Sequence, residues 1–339
     1  MSTMKLGRTG LTVCRSGFGA LPLQRLSMNE AVGLLHRAHE GGINFFDTAR
    51  MYSDSEEKIG VAFEHERYGV IIATKTLAQT RADALKSIET SLSNLRTDYI
   101  DIMQLHNPET LPDPTDPDSA YAGLIEARNK GLVRCIGISS HSIERALLAA
   151  RSGLYDTVQF PLSSLSSDAD LSLAAVCREN DCGLIAMKPM AGGLITNAAT
   201  SFAFLRQSAN VLPIWGMQRD SELTEILAFE AAPPQLDEWL WKSIRRERFE
   251  LSGRFCRGCG YCMPCPQNIQ INWAARMSLL LRRAPYQTFL SNEWRDRMQA
   301  IRSCTKCGLC NSKCPYGLNT PSLLKENLAD YERFCAEHA

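Results

Sequence analysis

The sequence lacks any apolar run of about 18 or more residues, so no segment is long and apolar enough to suggest a membrane-spanning helix. Residues 1–5 also lack the apolar run of a secretion signal, and we therefore expect a cytoplasmic protein. Neither charge sign is in excess, because 37 Lys and Arg balance 37 Asp and Glu. This balance gives no reason to expect nucleic acid or an anionic membrane as a partner.

The composition is that of an ordinary globular protein, with 45% hydrophobic and 22% charged residues, which excludes a disordered or fibrous chain. A length of 339 residues suits one large domain with an appendage. The overall charge balance hides an uneven distribution of charge along the chain. Residues 242–314 contain 14 Lys and Arg against 4 Asp and Glu, a net charge of +10, whereas residues 1–241 contain 21 against 29. The two parts of the chain therefore differ electrostatically.

Short apolar runs alternate with amphipathic stretches from residue 16 to residue 215, which is typical of strands alternating with helices. The predicted strands cover residues 16–20, 43–47, 70–74, 99–105, 133–138, 157–160, 183–187 and 211–215. Eight strands, each followed by a helix, predict a (β/α)8 TIM barrel, an α/β fold. The competing doubly wound fold usually has a third glycine after its first strand, and Gly17-Phe18-Gly19 has none.

The two ends of the chain add to this barrel. Residues 4–14 resemble a hairpin that closes the bottom of the barrel, and the composition changes after the Pro233-Pro234 break. We therefore expect a barrel over residues 1–234 and a second, helical domain over residues 235–339.

Eight of the 13 cysteines fall in two tight runs near the C-terminus, which in a reducing compartment indicates metal binding. The runs are Cys256, Cys259, Cys262 and Cys265, and Cys304, Cys307, Cys310 and Cys314. The second run has the C-x2-C-x2-C-x3-C-P spacing of bacterial 4Fe-4S ligation, and the first run differs by one residue. We predict two 4Fe-4S clusters.

In such duplicated motifs the fourth cysteine reaches the partner cluster. One cluster would then take Cys256, Cys259, Cys262 and Cys314, and the other Cys304, Cys307, Cys310 and Cys265. Two structural zinc sites are the alternative. The remaining cysteines, Cys14, Cys135, Cys177, Cys182 and Cys335, are expected to be packing residues.

Four polar side chains follow predicted strands two to four: Asp47, Tyr52, Lys75 and His106. Barrel enzymes place their chemistry at these carboxyl ends of the strands. A tyrosine acts as a proton donor near neutral pH when a neighbouring cation, here Lys75, stabilises its phenolate. Asp47 would hold Lys75, and His106 would orient a carbonyl oxygen. The alternative is a buried ion pair and a rim histidine that only close the barrel.

The motif Asp47-Thr48-Ala49-x-x-Tyr52, with Lys75 and Leu105-His106, resembles the tetrad of the aldo-keto reductases. With the paired cysteine runs, the whole chain resembles the branch of that superfamily with a C-terminal ferredoxin-type 2x[4Fe-4S] domain. The resemblance implies reduction of a carbonyl, with Tyr52 as general acid, Lys75 and Asp47 as its tuning pair and His106 as the orienting group.

The same resemblance implies a nicotinamide cofactor, NAD(P)H, with NADH and NADPH both open. The residues implied to contact it are Ser139, Ser140, Gln159, Lys188, Gly216, Gln218 and Arg219. The second serine stands where the family has asparagine, and Met187 stands in place of an aromatic platform. Glu222 stands where many relatives carry a basic or amide group, which disfavours the 2′-phosphate of NADPH.

We expect an oxidoreductase that reduces a small-molecule carbonyl or related group, with electrons from NAD(P)H, from ferredoxin through the clusters, or both. The alternative is an electron-transfer or assembly protein with a non-catalytic barrel. The basic segment predicts either neutralisation of the anionic clusters or a docking face for ferredoxin or another acidic redox protein. The arginines expected to be exposed on that face are Arg282, Arg283, Arg295 and Arg297.

Overall fold

The computed structural model describes residues 1–251, 255–283 and 286–338. Within the first of these ranges, eight parallel strands close into a barrel, in which the last strand pairs with the first. The barrel strands are β3 (Gly17–Gly19), β4 (Phe45–Asp47), β5 (Ile71–Thr76), β6 (Ile100–His106), β7 (Val133–Ser139), β8 (Thr157–Pro161), β9 (Gly183–Met187) and β10 (Val211–Gly216). The predicted fold class and all eight predicted strands are confirmed.

Helices connect and flank these strands. They are α1 (Met28–Glu40), α2 (Ser55–Phe63), α3 (Arg81–Leu95), α4 (Ala120–Asn129), α5 (Ile143–Arg151), α6 (Asp168–Glu179), α7 (Ala198–Arg206) and α8 (Asp220–Ala231). Local sequence sets where several of them begin. In α1, for example, the Ser27 hydroxyl accepts the N–H of Glu30 while the Glu30 carboxylate accepts the N–H of Ser27, which satisfies two unpaired donors.

The N-terminal hairpin closes the lower end of the barrel, as predicted. Its strands β1 (Thr3–Lys5) and β2 (Thr12–Cys14) pair antiparallel. Leu6, Leu11 and Val13 are buried with apolar residues near the starts of the barrel strands. Because this end is filled by packing, the carboxyl ends of the strands are left for chemistry.

Contacts divide the chain into two units. One comprises Met1–Pro189 and Ala199–Glu238, and the other comprises Met190–Ala198 and Trp239–Ala339. The segment Met190–Ala198, which follows β9 in the chain, therefore groups with the cysteine-bearing unit rather than with the barrel.

The second unit is mainly helical. Its helices are α9 (Glu238–Glu250), α10 (Ile271–Ala274), α11 (Met277–Arg283), α12 (Asn292–Gln299), α13 (Leu309–Ser312) and α14 (Thr320–Glu337). An apolar core that includes Met277, Trp294 and Leu324 packs against the cysteine runs. Tyr331 donates its hydroxyl hydrogen to the Phe289 carbonyl at 2.7 Å, which satisfies a buried polar group within that core. Among the described residues, no helix combines the length and apolarity that a membrane span needs.

Candidate active site and cysteine cavities

The centre of the barrel site is a buried ion pair between Lys75 and Asp47. The Lys75 Nζ lies 2.8 and 2.7 Å from the two carboxylate oxygens of Asp47, and 2.7 Å from the carbonyl oxygen of Thr48. Lys75 is 1% exposed and Asp47 is 3% exposed. All three donors of the ammonium group therefore have acceptors, which fixes its position in the barrel.

Two buried amides complete the environment of Asp47. Gln104 and Gln159 each direct Nε2 towards one oxygen of its carboxylate at 3.3 Å. Gln104 was not among the predicted site residues. The sequence could have predicted it, because Gln104 lies two residues before His106 on β6, and residues i and i+2 of a strand point to the same face.

Tyr52 and His106 lie beside this pair. Lys75 Nζ is 5.2 Å from the centroid of the Tyr52 ring, and the Tyr52 and His106 rings meet edge to face with centroids 5.9 Å apart. Tyr52 is half-buried and His106 is buried. The structure thus brings the four residues Asp47, Tyr52, Lys75 and His106 together.

Burial determines the electrostatics of the site. Burial, and to a smaller extent the charge of Lys75, together lower the pKa of His106 to about 3. The imidazole is therefore neutral at physiological pH and can donate one N–H. Burial also lowers the pKa of Lys75 and raises that of Asp47, while the attraction between the two groups opposes both shifts.

Two of the predicted nicotinamide contacts lie at the end of β7. The Ser139 hydroxyl accepts the backbone N–H of Asn107 at 3.1 Å, and the Ser140 hydroxyl donates to the Ser142 carbonyl at 3.0 Å. Both serines are buried. Their hydroxyls thus support the loops after β6 and β7.

Apart from Gln159 on β8, the remaining predicted contacts lie at or just after the ends of β9 and β10. Lys188 is half-buried with φ of 57°, and Gly216 is exposed. Gln218 accepts a hydrogen bond from Arg25 at 3.1 Å. Arg219 forms an ion pair with Glu222, in which Nη2 of the guanidinium lies 2.5 Å from Oε1 of the carboxylate.

Glu222 also caps the first turn of α8. Its Oε2 accepts the backbone N–H groups of Gln218 and Arg219 at 2.9 and 3.1 Å. A carboxylate in this position places negative charge on the N–H groups that a helix start otherwise offers to an anion. The guanidinium of Arg219 partly neutralises the Glu222 carboxylate. The charge at the start of α8 is therefore set by both side chains.

The first cysteine cavity encloses about 330 Å³ of space, part of it open to solvent. Cys256, Cys259 and Cys262 line it together with Cys314 from the second run, and Arg257 and Tyr316 border it. The Gly258 N–H points to Cys256 Sγ at 3.4 Å. Gly258 has φ of 63°, and an added Cβ would lie 2.9 Å from the Arg276 guanidinium, so the turn requires glycine.

The second cysteine cavity encloses about 400 Å³ of partly open space. Cys304, Cys307 and Cys310 line it together with Cys265 from the first run. Cys262 and Ile271 line both cavities. In each cavity three cysteines of one run thus lie with the last cysteine of the other.

Cysteine ligates both zinc and iron–sulfur clusters, so the ligand geometry of each bears on the two cysteine cavities. Within the part of the chain that the structure describes, no group of three or more His, Cys, Asp or Glu side chains is arranged to hold one metal ion. A tetrahedral zinc with bonds of about 2.3 Å needs sulfur ligands about 3.8 Å apart. Four cysteine thiolates are the usual ligands of a 4Fe-4S cluster, and each cavity is lined by three cysteines of one run and the last cysteine of the other.

The arginines expected on an exposed docking face are engaged within the second unit. Arg282 pairs with Asp330 and Arg297 pairs with Glu293, both at 2.6 Å. Arg295 donates from Nε to the Leu290 carbonyl at 3.1 Å.

The expectation for Arg283 is wrong. Its side chain is only 11% exposed, because it binds the Leu194 carbonyl and the Glu250 carboxylate. Arg254, which belongs to the same basic segment, lies outside the described residues.

Comparisons with known proteins support this division of the chain. Residues 15–208 match the model of the aldo/keto reductase family, and residues 255–319 match that of a 4Fe-4S dicluster domain.

Among curated proteins, the chain is 30% identical over 212 residues to an uncharacterized oxidoreductase, YqkF, of Bacillus subtilis, covering 58% of this chain and 67% of that protein. It is 26% identical over 264 residues to the NADH-specific methylglyoxal reductase of Escherichia coli, covering 69% of this chain and 80% of that protein. It is 30% identical over 210 residues to L-galactose dehydrogenase of Arabidopsis thaliana, covering 56% and 66%. The chain spans about two thirds of the length of the first relatives that it matches.

Solved structures show the same barrel. A thermostable aldo-keto reductase in complex with the inhibitor epalrestat has 25% identity and a TM-score of 0.61, with 73% of this chain and 100% of that chain covered. An aldo/keto reductase from Klebsiella pneumoniae in complex with NADP and acetate has 20% identity and a TM-score of 0.59, with 72% and 94% covered.

Proposed function

The chain belongs to the aldo/keto reductase family and is an oxidoreductase with a 4Fe-4S dicluster domain, and on that premise we propose that it reduces a small-molecule carbonyl at the site around Tyr52. The observation that carries this proposal is the arrangement of Tyr52 beside the buried Lys75–Asp47 pair. A surface tyrosine that only packed against the barrel would not need a fixed ammonium group beneath its ring.

The chemical step that we propose is conversion of a carbonyl to an alcohol, which requires two electrons and two protons. Tyr52 donates one proton from its hydroxyl to the carbonyl oxygen. Lys75 stabilises the phenolate that remains, because a positive charge beside it favours the ionised form. Asp47 holds the ammonium in place through two short contacts.

His106 has a different task in this proposal. Its low pKa keeps the imidazole neutral, so that it orients the carbonyl oxygen by donating an N–H without adding charge. The edge-to-face contact between the Tyr52 and His106 rings, with centroids 5.9 Å apart, supports their acting on one carbonyl oxygen. A carbonyl oxygen held between them would receive one hydrogen bond from each.

For the electrons, we propose NADH rather than NADPH as the nicotinamide source. A bound nicotinamide would supply a hydride to the carbonyl carbon. Glu222 carries the argument for NADH, because its carboxylate already accepts the backbone N–H groups at the start of α8. A 2′-phosphate placed there would meet a like charge.

We further propose that the two cysteine cavities hold two 4Fe-4S clusters. Their chemistry, when present, is the transfer of single electrons. Cys256, Cys259, Cys262 and Cys314 would hold the first cluster, and Cys304, Cys307, Cys310 and Cys265 the second. The cavities support this proposal because each combines three cysteines of one run with the fourth of the other.

The experiment is a screen of small carbonyl compounds with anaerobically purified protein, supplied with NADH, NADPH or a reduced ferredoxin. Tyr52→Phe should lower turnover by roughly 10²- to 10⁴-fold, the usual contribution of general acid catalysis. Tyr68→Phe is the matched control, because Tyr68 is 95% exposed. If the wild type binds no nicotinamide and Tyr52→Phe keeps the wild-type rate on a substrate found in the screen, the barrel is not the reduction site.

A further inference from the structure

The cysteines that line the two cavities differ in their exposure. Cys307 is exposed, Cys256 and Cys310 are buried, and the other five are half-buried. An exposed thiolate ligand brings one corner of its cluster to the protein surface. The cavity lined by Cys304, Cys307, Cys310 and Cys265 is therefore the one that a partner protein can approach directly.

The residues around Cys307 form a surface with an apolar centre. Leu309 is 47% exposed, which is unusual for a large apolar side chain, and Thr305 is also exposed. Lys306 and Gly308 both have positive φ, of 55° and 78°, so the chain turns sharply on either side of Cys307. We call Thr305, Lys306, Cys307, Leu309 and Lys313 the Cys307 face.

The Cys307 face carries positive charge that the protein does not neutralise. Lys306 and Lys313 are exposed, and within the described ranges neither forms an ion pair. The neighbouring cation Arg302, in contrast, pairs with Glu332 at 2.6 Å. Arg282 and Arg297 are paired in the same way. Two exposed lysines without an ion pair among the described residues thus lie close in sequence to Cys307, the one exposed cysteine of the two runs.

We propose that the Cys307 face is the docking site of an acidic one-electron carrier protein, and that electrons enter through the second cysteine cavity. This inference rests on the proposed binding of clusters. Opposite charge on the carrier would speed encounter, and the exposed Leu309 would provide the desolvated centre of a small transient interface. Small redox complexes use interfaces of this kind.

Each docking event transfers one electron. The carrier is oxidised by one electron and the cluster is reduced by one electron, with no bond made or broken. Two events would supply the two electrons that reduction of one carbonyl to an alcohol requires, in place of the hydride that NADH would supply, and the two protons would come from Tyr52 and solvent.

The walls of the two cavities indicate the direction of transfer after docking. Cys262 and Ile271 line both cavities, so the clusters would be separated there by a single layer of side chains. The buried Cys256 lines the first cavity, and the Arg276 guanidinium lies beside the neighbouring Gly258. Arg276 also donates to the Gly192 carbonyl at 2.9 Å, in the segment that follows β9. The proposed transfer thus runs from the cavity with the exposed Cys307 to the cavity with the buried Cys256.

The test compares Lys306→Glu/Lys313→Glu with the matched control Lys5→Glu/Lys86→Glu, which changes the net charge equally at exposed lysines of the barrel unit. The probe is a pre-reduced acidic 2Fe-2S ferredoxin, mixed with each protein under anaerobic conditions. Stopped-flow absorption measures the rate of cluster reduction, and a binding assay on immobilised ferredoxin measures affinity. Dithionite serves as the small chemical reductant for each variant.

At low salt the Lys306→Glu/Lys313→Glu protein should be reduced by ferredoxin about tenfold or more slowly than the wild type and bind it more weakly. The control should match the wild type, and dithionite should reduce all three at one rate. Added salt should slow the reduction of the wild-type protein by ferredoxin, because salt screens the attraction between the two proteins. This measurement needs no variant. A ferredoxin rate that is indifferent to both the reversals and salt would overturn the proposal.

Two failures can be told apart. If the wild type contains no iron and sulfide, the proposed clusters are wrong. If it contains both and dithionite reduces them, but ferredoxin binding and reduction do not depend on Lys306 and Lys313, only the docking face is wrong.

Discussion

The Lys75 ammonium lies within 2.8 Å of both carboxylate oxygens of Asp47, and both side chains are almost fully buried. If one member of the pair were removed, water could not solvate the charge of the other. The pair is therefore costly to break from one side, although replacing both members by apolar residues is often tolerated.

We expect Lys75→Met to lower the free energy of unfolding by about 3–5 kcal/mol, because it leaves Asp47 charged and buried without its partner. The double variant Lys75→Met/Asp47→Leu should recover most of this loss. Lys86→Met, at an exposed lysine of α3, is the control and should change little. Urea denaturation measures all three. Equal losses in the single and double variants would contradict the argument.

The stability of the protein should fall with acid through His106. Its pKa is about 3 in the folded chain and about 6.5 when unfolded, so the unfolded state binds more protons between these values. The stability that the neutral ring contributes is complete above about pH 6.5 and is lost as the pH falls towards 3. Between about pH 7.5 and pH 5 the loss should be about 2 kcal/mol.

The measurement is urea unfolding of the wild type and His106→Gln at the two pH values. The variant lacks this titration, so its free energy of unfolding should fall by about 2 kcal/mol less than that of the wild type. Parallel losses in the two proteins would show that His106 is not held neutral by the fold.

The exchange of fourth ligands predicts which cluster each substitution damages. Anaerobically prepared wild type should contain about eight iron and eight sulfide per chain. Cys314→Ser should remove the cluster held mainly by the first run, and Cys265→Ser the one held mainly by the second. Electron paramagnetic resonance of the remaining cluster distinguishes the two, and Cys335→Ala is the control. Loss of the second-run cluster in Cys314→Ser would refute the pairing, and zinc in place of iron would refute the clusters.

Glu222 should control the choice of nicotinamide. Removing its charge in Glu222→Gln should raise the affinity for NADPH relative to NADH, since the start of α8 then lacks a like charge and Arg219 is released from its ion pair. Glu225→Gln is the matched control, because Glu225 is an exposed carboxylate on the same helix. Fluorescence titration with each nucleotide gives the affinities. An unchanged ratio in Glu222→Gln would show that the helix start does not contact the nucleotide.

The sequence predicted the barrel well, because its strands are short apolar runs whose period differs from that of the helices between them. The predicted strand over residues 99–105, for example, is Ile100–His106 in the structure. The predicted helical stretch over residues 272–283 is instead two helices, Ile271–Ala274 and Met277–Arg283. Packing against α14 shapes this region, and such packing leaves no periodic signal in a short segment.

For the site, the sequence indicated the residue types but not their partners. Asp47, Tyr52, Lys75 and His106 follow strands whose ends meet, so their proximity was predictable from the barrel. The depression of the His106 pKa depends on burial, which no motif encodes. The internal pairing of Arg283 likewise depends on which chain segments lie against it, and those are distant in sequence.

The segment Met190–Ala198 makes the cysteine-bearing unit discontinuous in sequence. Arg276 and Arg283 hold its Gly192 and Leu194 carbonyls, and Leu194 and Ile195 are buried. A truncation after Glu238 would keep these two apolar side chains but remove the residues that cover them. The shortened protein would then expose an apolar, aggregation-prone loop. Grafting the iron–sulfur module onto another barrel would likewise require two insertions rather than one C-terminal fusion. The module is therefore built from two separate stretches of the chain, and a single C-terminal truncation does not remove all of it.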